Sequence, residues 1–232
     1  MKLTEHVSLL SGLLLDAAEN VYAVRHEYGL VLIDTGWGAA ARNNIQTSLQ
    51  EEGLEGLPIT HVLLTHMHDD HSGNAAWLRR RGAQIWCPEA DASGVESGGV
   101  RVNDYGAGSF ETCTVDRCIA PDEAFVIGGV AFQTVHAPGH TNGSTLYCFD
   151  ADGKRFCATG DVLHTMQHEA GAGVSLGWAG SYEMDRRIYL QTLEKLLPLR
   201  FDVLLGGHGF PLLQNGSRLL GDAFRKALIE WR

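Results

Sequence analysis

Apolar positions along this chain gather in short blocks rich in branched residues, separated by glycines and polar turns. That pattern predicts strands at 6–10, 12–15, 20–26 and 29–34, with Gly12, Asn20 and Gly29 near the turns. The stretch from Val7 to Leu15 follows Lys2 and loosely resembles a signal peptide, but Glu5 and Gly12 interrupt it, and two opening strands fit better. Ile45 and Leu49 among alanines predict a helix over 38–52, and 61–65 reads as a buried strand. A turn, a short helix to about Arg81 and a strand at 83–87 follow. Residues 88–114 hold Gly94, Gly98, Gly99, Gly106 and Gly108 with little periodicity, which predicts an irregular segment overhanging a site. Strands resume at 124–127, 130–136, 145–150 and 154–159, then a helix over 183–197 and a strand over 201–205. A closing helix over 216–231 gathers Leu219, Leu220, Phe224, Leu228 and Ile229 on one side. The expected class is α/β (α+β), with two packed sheets and helices outside, in one domain over 1–232 that no linker divides.

Composition changes this picture little. The chain has 232 residues, 44% apolar and 20% charged, ordinary for a globular protein. A formal net charge of −10 argues against a nucleic-acid backbone or an anionic membrane as main partner. No apolar run reaches the length of a membrane-crossing helix. Cys87, Cys113, Cys118, Cys148 and Cys157 form no C-x-x-C pair, which points to reduced core thiols in a cytosolic protein. Cys113 and Cys118 flank a loop and could pair.

The chemistry concentrates in His66-Met67-His68-Asp69-Asp70-His71, directly after the 61–65 strand. His66 and His68 are two apart, so in extended backbone their imidazoles leave on one face and can grip one ion. Asp70 and His71 follow where the chain turns, and they aim toward a second. Three more strand ends carry candidate ligands: His140 after the Pro138-Gly139 turn, Asp161 after Gly160, and His208 between Gly207 and Gly209. Such imidazole and carboxylate sets suit zinc and also tolerate iron or manganese. No Gly-x-Ser-x-Gly elbow is present, so metal-bound water is the natural nucleophile. His164 and Tyr182 are further candidates, for substrate contact, with His168 and Trp178 beside them. His6, His26, His61 and His136 sit on or beside strands and read as structural or surface residues.

With these residues in this order, the chain resembles the metallo-β-lactamase superfamily over essentially its whole length. The matching motifs are the Asp34 strand end, the H-x-H-x-D-H run at 66–71, His140, Asp161 and His208. The resemblance implies a four-layer αββα sandwich with a binuclear site in a cleft at the sheet edges. It implies that His66, His68 and His140 bind a first ion and Asp70, His71 and His208 a second. Asp161 would bridge the two Zn2+ ions, Asp70 would also serve as the catalytic residue that orients the nucleophile, and Asp34 would order the turn rather than bind metal, a role compatible with capping the next helix. The expected activity is that of a binuclear zinc hydrolase whose bridging hydroxide attacks a carbonyl ester, lactone or thioester of a small-molecule substrate. Specificity is expected to reside in 88–114 and 162–182, and the oligomeric state is left open.

The resemblance leaves rivals. A mononuclear iron persulfide dioxygenase uses two histidines and the bridging-type aspartate in the same fold. Zinc β-lactamases lack the bridging carboxylate, so Asp161 counts against that activity. A non-catalytic binding protein is disfavoured by an intact ligand set. Glyoxalase II carries a helical C-terminal domain, where residues 209–232 leave room for one helix. Nucleases of the superfamily add a nucleic-acid module, and flavodiiron proteins have glutamate at the His68 position.

Overall fold

A computed structural model describes residues 1–102, 110–168, 171–177 and 181–231. The first sheet runs in sequence order: β1 (Val7–Ser11), β2 (Val21–His26), β3 (Gly29–Ile33), β4 (Ile59–Leu63), β5 (Gln84–Pro88) and β6 (Arg117–Ile119). Its first three strands pair antiparallel, and β3 to β6 pair parallel. The crossovers carry α1 (Gly38–Glu51), α2 (Asp69–Ser72), α3 (Ala75–Arg79) and α4 (Glu89–Ser97). The second sheet contains β7 (Ala124–Ile127), β8 (Val130–His136), β9 (Thr145–Ala151), β10 (Lys154–Gly160) and β13 (Val203–Gly206), in the order β13-β10-β9-β8-β7. A separate hairpin, β11 (His164–His168) with β12 (Gly171–Ser175), follows β10. Two helices, α5 (Arg186–Leu196) and α6 (Arg218–Glu230), complete the chain; Asp185 caps α5 by accepting the amides of Arg187 and Ile188.

Strand alternation builds the layers. Along β3, Val31 and Ile33 face the second sheet while Leu30 and Leu32 face α1, so every residue of the strand is buried. Along β10, Phe156 and Ala158 turn inward and Cys157 turns outward toward α5 and α6. Between the sheets, Phe132 packs tilted on Phe149 and Phe149 stacks on Phe156, with centroids 5.3 and 5.1 Å apart. Each such ring, fully buried, contributes about 1.5–3 kcal/mol. The result is the four-layer αββα sandwich, with three apolar cores on and between two sheets. No helix among the described residues is long and apolar enough to cross a membrane.

Two expectations are corrected. Residues 12–15 are no strand: Leu13–Leu15 form one 3-10 turn, with Leu13 and Leu14 exposed. A side chain at Gly12 would run into Asn20, and among the described residues no strand pairs with 12–15. Residues 88–114 are not irregular throughout, because 89–97 is helix. Its disruptive glycine, Gly94, is there because Met67 packs on it: a Cβ would lie 2.4 Å from the Met67 sulfur. The short strands β6, β11 and β12 were unforeseen, having too few apolar residues to register as a pattern. All five cysteines are free, Cys113 and Cys118 included.

Candidate metal centre

One end of the sandwich gathers the strand ends, and Asp34 sets its geometry. Just past β3, Asp34 adopts a left-handed φ of 61°, which costs a non-glycine residue on the order of 1 kcal/mol. Three hydrogen bonds hold it there. Oδ1 accepts the Thr65 amide at 2.7 Å; Oδ2 accepts the Thr65 hydroxyl at 2.8 Å and His71 Nδ1 at 2.9 Å. Asp34 is not a helix cap: Trp37 occupies that position of α1, without a side-chain cap bond.

These bonds determine which imidazole nitrogens face inward. His71 spends Nδ1–H on Asp34, leaving the Nε2 lone pair for the site. The Thr65 hydroxyl has already donated to Asp34, so it accepts from His66 Nδ1 at 3.0 Å, and His66 too turns an Nε2 lone pair inward. His208 Nδ1 donates to the Ala18 carbonyl at 3.0 Å with the same consequence. Partners of this kind fix the tautomer of metal-ligating histidines.

The inward atoms form two sets. His68 Nδ1 stands 3.1 Å from His66 Nε2 and 3.0 Å from His140 Nε2, all three rings buried. In the second set, Asp70 Oδ2 lies 3.2 Å from His208 Nε2 and 3.5 Å from His71 Nε2, and those nitrogens are 3.3 Å apart. Asp161 stands between. Its Oδ2 is 3.5 Å from His140 Nε2, and its Oδ1 is 3.0 Å from His71 Nε2 and 3.5 Å from His208 Nε2. Gly207 permits this approach, since a Cβ there would sit 2.5 Å from Asp161 Oδ1. Within each set the ligand atoms lie within 4.8 Å of one another.

The two sets differ in charge. Burial, reinforced by the imidazoles of His71 and His68, holds His66 well below its ordinary pKa, and burial takes His140 down to about 3. His66 and His140 of the first set are therefore neutral. In the second, burial opposes a proton on His71, yet Asp161, Asp70 and Asp34 hold it well above the usual value. Burial likewise opposes His208, but Asp161 and Asp70 lift it to about 10. Burial also works against charge on Asp70 and Asp161, and the surrounding imidazoles nonetheless keep both carboxyls well below the usual range.

Both sets fit divalent cations. Zinc bound tetrahedrally at about 2.0–2.1 Å spaces nitrogens roughly 3.3 Å apart, close to the spacing of the first set. Asp70 Oδ1 and Asp161 Oδ1 are buried oxygens without a hydrogen-bond partner, a costly state unless a cation faces them.

Several supporting residues carried no sequence signal. Thr65 is one. Asp91, fully buried at the start of α4, is another: Oδ2 accepts the Met67 amide at 3.0 Å and the Thr141 hydroxyl at 2.8 Å, and Oδ1 accepts the Gly143 amide at 2.7 Å. It ties the His66–His68 turn to the His140 loop, while burial raises its pKa to about 6. Ser181 donates to the His140 carbonyl. Asp91→Ala strands two buried amides at about 1–3 kcal/mol each. At about 2–4 °C per kcal/mol for a chain of this length, the melting temperature should drop by roughly 5–20 °C. An unchanged calorimetric melt removes the clamp role.

The remaining candidates separate. His164 stands beside Asp161, its Nε2 2.9 Å from Oδ1. Tyr182 is 69% exposed. Trp178 and the His168 side chain lie outside the described residues. His6 pairs with Asp152, His26 with Thr60 and His136 with the Asn142 carbonyl, while His61 packs edge-on against Trp86.

A family model described as the Metallo-beta-lactamase superfamily matches residues 16–208. The chain is 33% identical over 152 residues to hydroxyacylglutathione hydrolase GloC of Haemophilus influenzae, covering 64% of this chain and 68% of that protein. It is 24% identical over 207 residues to the atrochrysone carboxyl ACP thioesterase of Emericella nidulans, covering 89% of this chain and 56% of that one. Among solved structures, the subclass B3 metallo-beta-lactamase BJP-1 of Bradyrhizobium japonicum superposes with a TM-score of 0.74 at 22% identity, over 99% of this chain and 93% of that one. At that identity the likeness is one of fold.

Proposed function

The chain belongs to the metallo-beta-lactamase superfamily as a metal-dependent hydrolase, and from that premise we propose that it cleaves acyl thioesters with two zinc ions, with carbonyl esters and lactones as related substrates. The observation that carries the reading is Asp161, which turns one oxygen to each histidine set. His66, His68 and His140 would hold the first ion, and Asp70, His71 and His208 the second, with Asp161 shared. Bound there, the ions supply a water acidic enough to attack near neutral pH, with a pKa on the order of 7, and positive charge for the carbonyl oxygen.

The chain's own groups do the rest. Asp70 is held ionised by His71 and His208, and its Oδ1 accepts no hydrogen bond from the protein. That oxygen orients the attacking water and accepts its proton. Asp34 and Thr65 keep the lone pairs of His71 and His66 pointed inward. Asp91 and Ser181 hold the His140 loop in place.

The choice of thioester comes from the relatives, whose names, hydroxyacylglutathione hydrolase and ACP thioesterase, both denote release of an acyl group from a thiol carrier. Protein purified without chelator is expected to carry about two zinc ions per chain and to turn over acyl-glutathione or acyl-pantetheine thioesters. A single iron with oxygen uptake on a persulfide overturns the hydrolase chemistry. Turnover of a β-lactam, with none of any thioester, ester or lactone, overturns the substrate class.

A further inference from the structure

We propose that His164 is an additional donor to the second metal position, joining it on the Asp161 side. The inference rests on the metal-centre reading above. His164 Nε2 lies 2.9 Å from Asp161 Oδ1, as close as His71 Nε2 at 3.0 Å from the same oxygen. Neither contact has hydrogen-bond geometry: Asp161 Oδ1 and His164 Nε2 are both buried atoms without a hydrogen-bond partner. Lone pairs at that separation repel unless a proton lies between them or a cation faces both. A proton shared between them would be misdirected, because an N–H on this nitrogen points off the oxygen. A cation would satisfy both atoms, as it would His71 Nε2 and the same oxygen.

The surroundings agree. The His164 ring stands against His208, centroids 4.7 Å apart, and His208 Nε2 faces the same Asp161 oxygen at 3.5 Å. Between Asp161 and His164 the chain is pinned by buried Val162 and Leu163, whose carbonyl accepts the Thr159 hydroxyl at 2.9 Å. That turn brings both side chains to one place. His164 is not among the four residues whose ligand atoms all lie within 4.8 Å of one another, which puts it at the outer edge of the set. A donor there adds one neutral nitrogen and strengthens the hold on the second ion.

The test is metal titration of chelator-stripped protein, with Zn2+ by calorimetry and with Co2+ by its visible absorption. The unmodified chain is expected to show two binding events. His164→Ala should weaken the second by at least roughly 10–100-fold, the loss typical even of partners one step further from a metal. The first event should stay unchanged, which also reports an intact fold, and the Co2+ band should change only in the second. His164→Gln keeps a hydrogen-bond donor but no imidazole, and it should behave like His164→Ala. Wild-type affinity in both variants, or restoration by His164→Gln, overturns the donor role and leaves the centre standing. Fewer than two events in the unmodified chain overturn the centre itself, and His164 with it.

Discussion

Replacing His68 with alanine is expected to take hydrolysis to background while the protein stays folded. His68 Nδ1 is the middle nitrogen of the first set, about equally far from His66 and His140, so its loss opens that set at the centre. The charge an ion brings to the transition state is worth several kcal/mol. At about 1.4 kcal/mol per tenfold, kcat/KM should fall on the order of 1,000-fold or more. The backbone has little to lose, because His68 makes no side-chain cap bond to α2. Steady-state kinetics and circular dichroism, measured on the same sample, check both halves. Unchanged turnover removes His68 from the metal assignment.

Stripping the ions with a chelator should lower the melting temperature sharply and abolish hydrolysis, with zinc restoring both. Without cations the second set confines Asp70 and Asp161, with Asp34 behind His71, in a buried space balanced by imidazolium protons on His71 and His208. An ion present at about 100 times its Kd contributes about 2.7 kcal/mol, so two contribute about 5 kcal/mol. At about 2–4 °C per kcal/mol for this chain length, the expected loss is about 10–20 °C. A melt that does not move on complete metal removal means that the two sets do not hold ions in the folded protein.

Much of this architecture was legible in the chain. His66 to His71, His140, Asp161 and His208 each follow an apolar strand, and a buried strand can deliver side chains only at its ends. The alternation along β3 and β10 likewise determined which faces meet between the sheets, because side chains on a strand repeat every second residue. Where local pattern and packing disagreed, packing won. The segment after β5 is helical despite Gly94, whose missing side chain leaves the space Met67 takes, and Leu13–Leu15 is a 3-10 turn that pairs with no strand among the described residues.

The sequence by itself determined the donor types, their order and the sheets that carry them, since these depend on neighbours along the chain. Only the tertiary structure decided which nitrogen of His71, His66 and His208 faces inward, because Asp34 holds the first ring and, through Thr65, the second, while the Ala18 carbonyl reaches the third from far along the chain. It alone placed Asp161 between the two sets, His164 beside it and Asp91 beneath the loops. Hydrogen bonds and charge act over a few ångströms of space, across residues as far apart in the chain as Ala18 and His208.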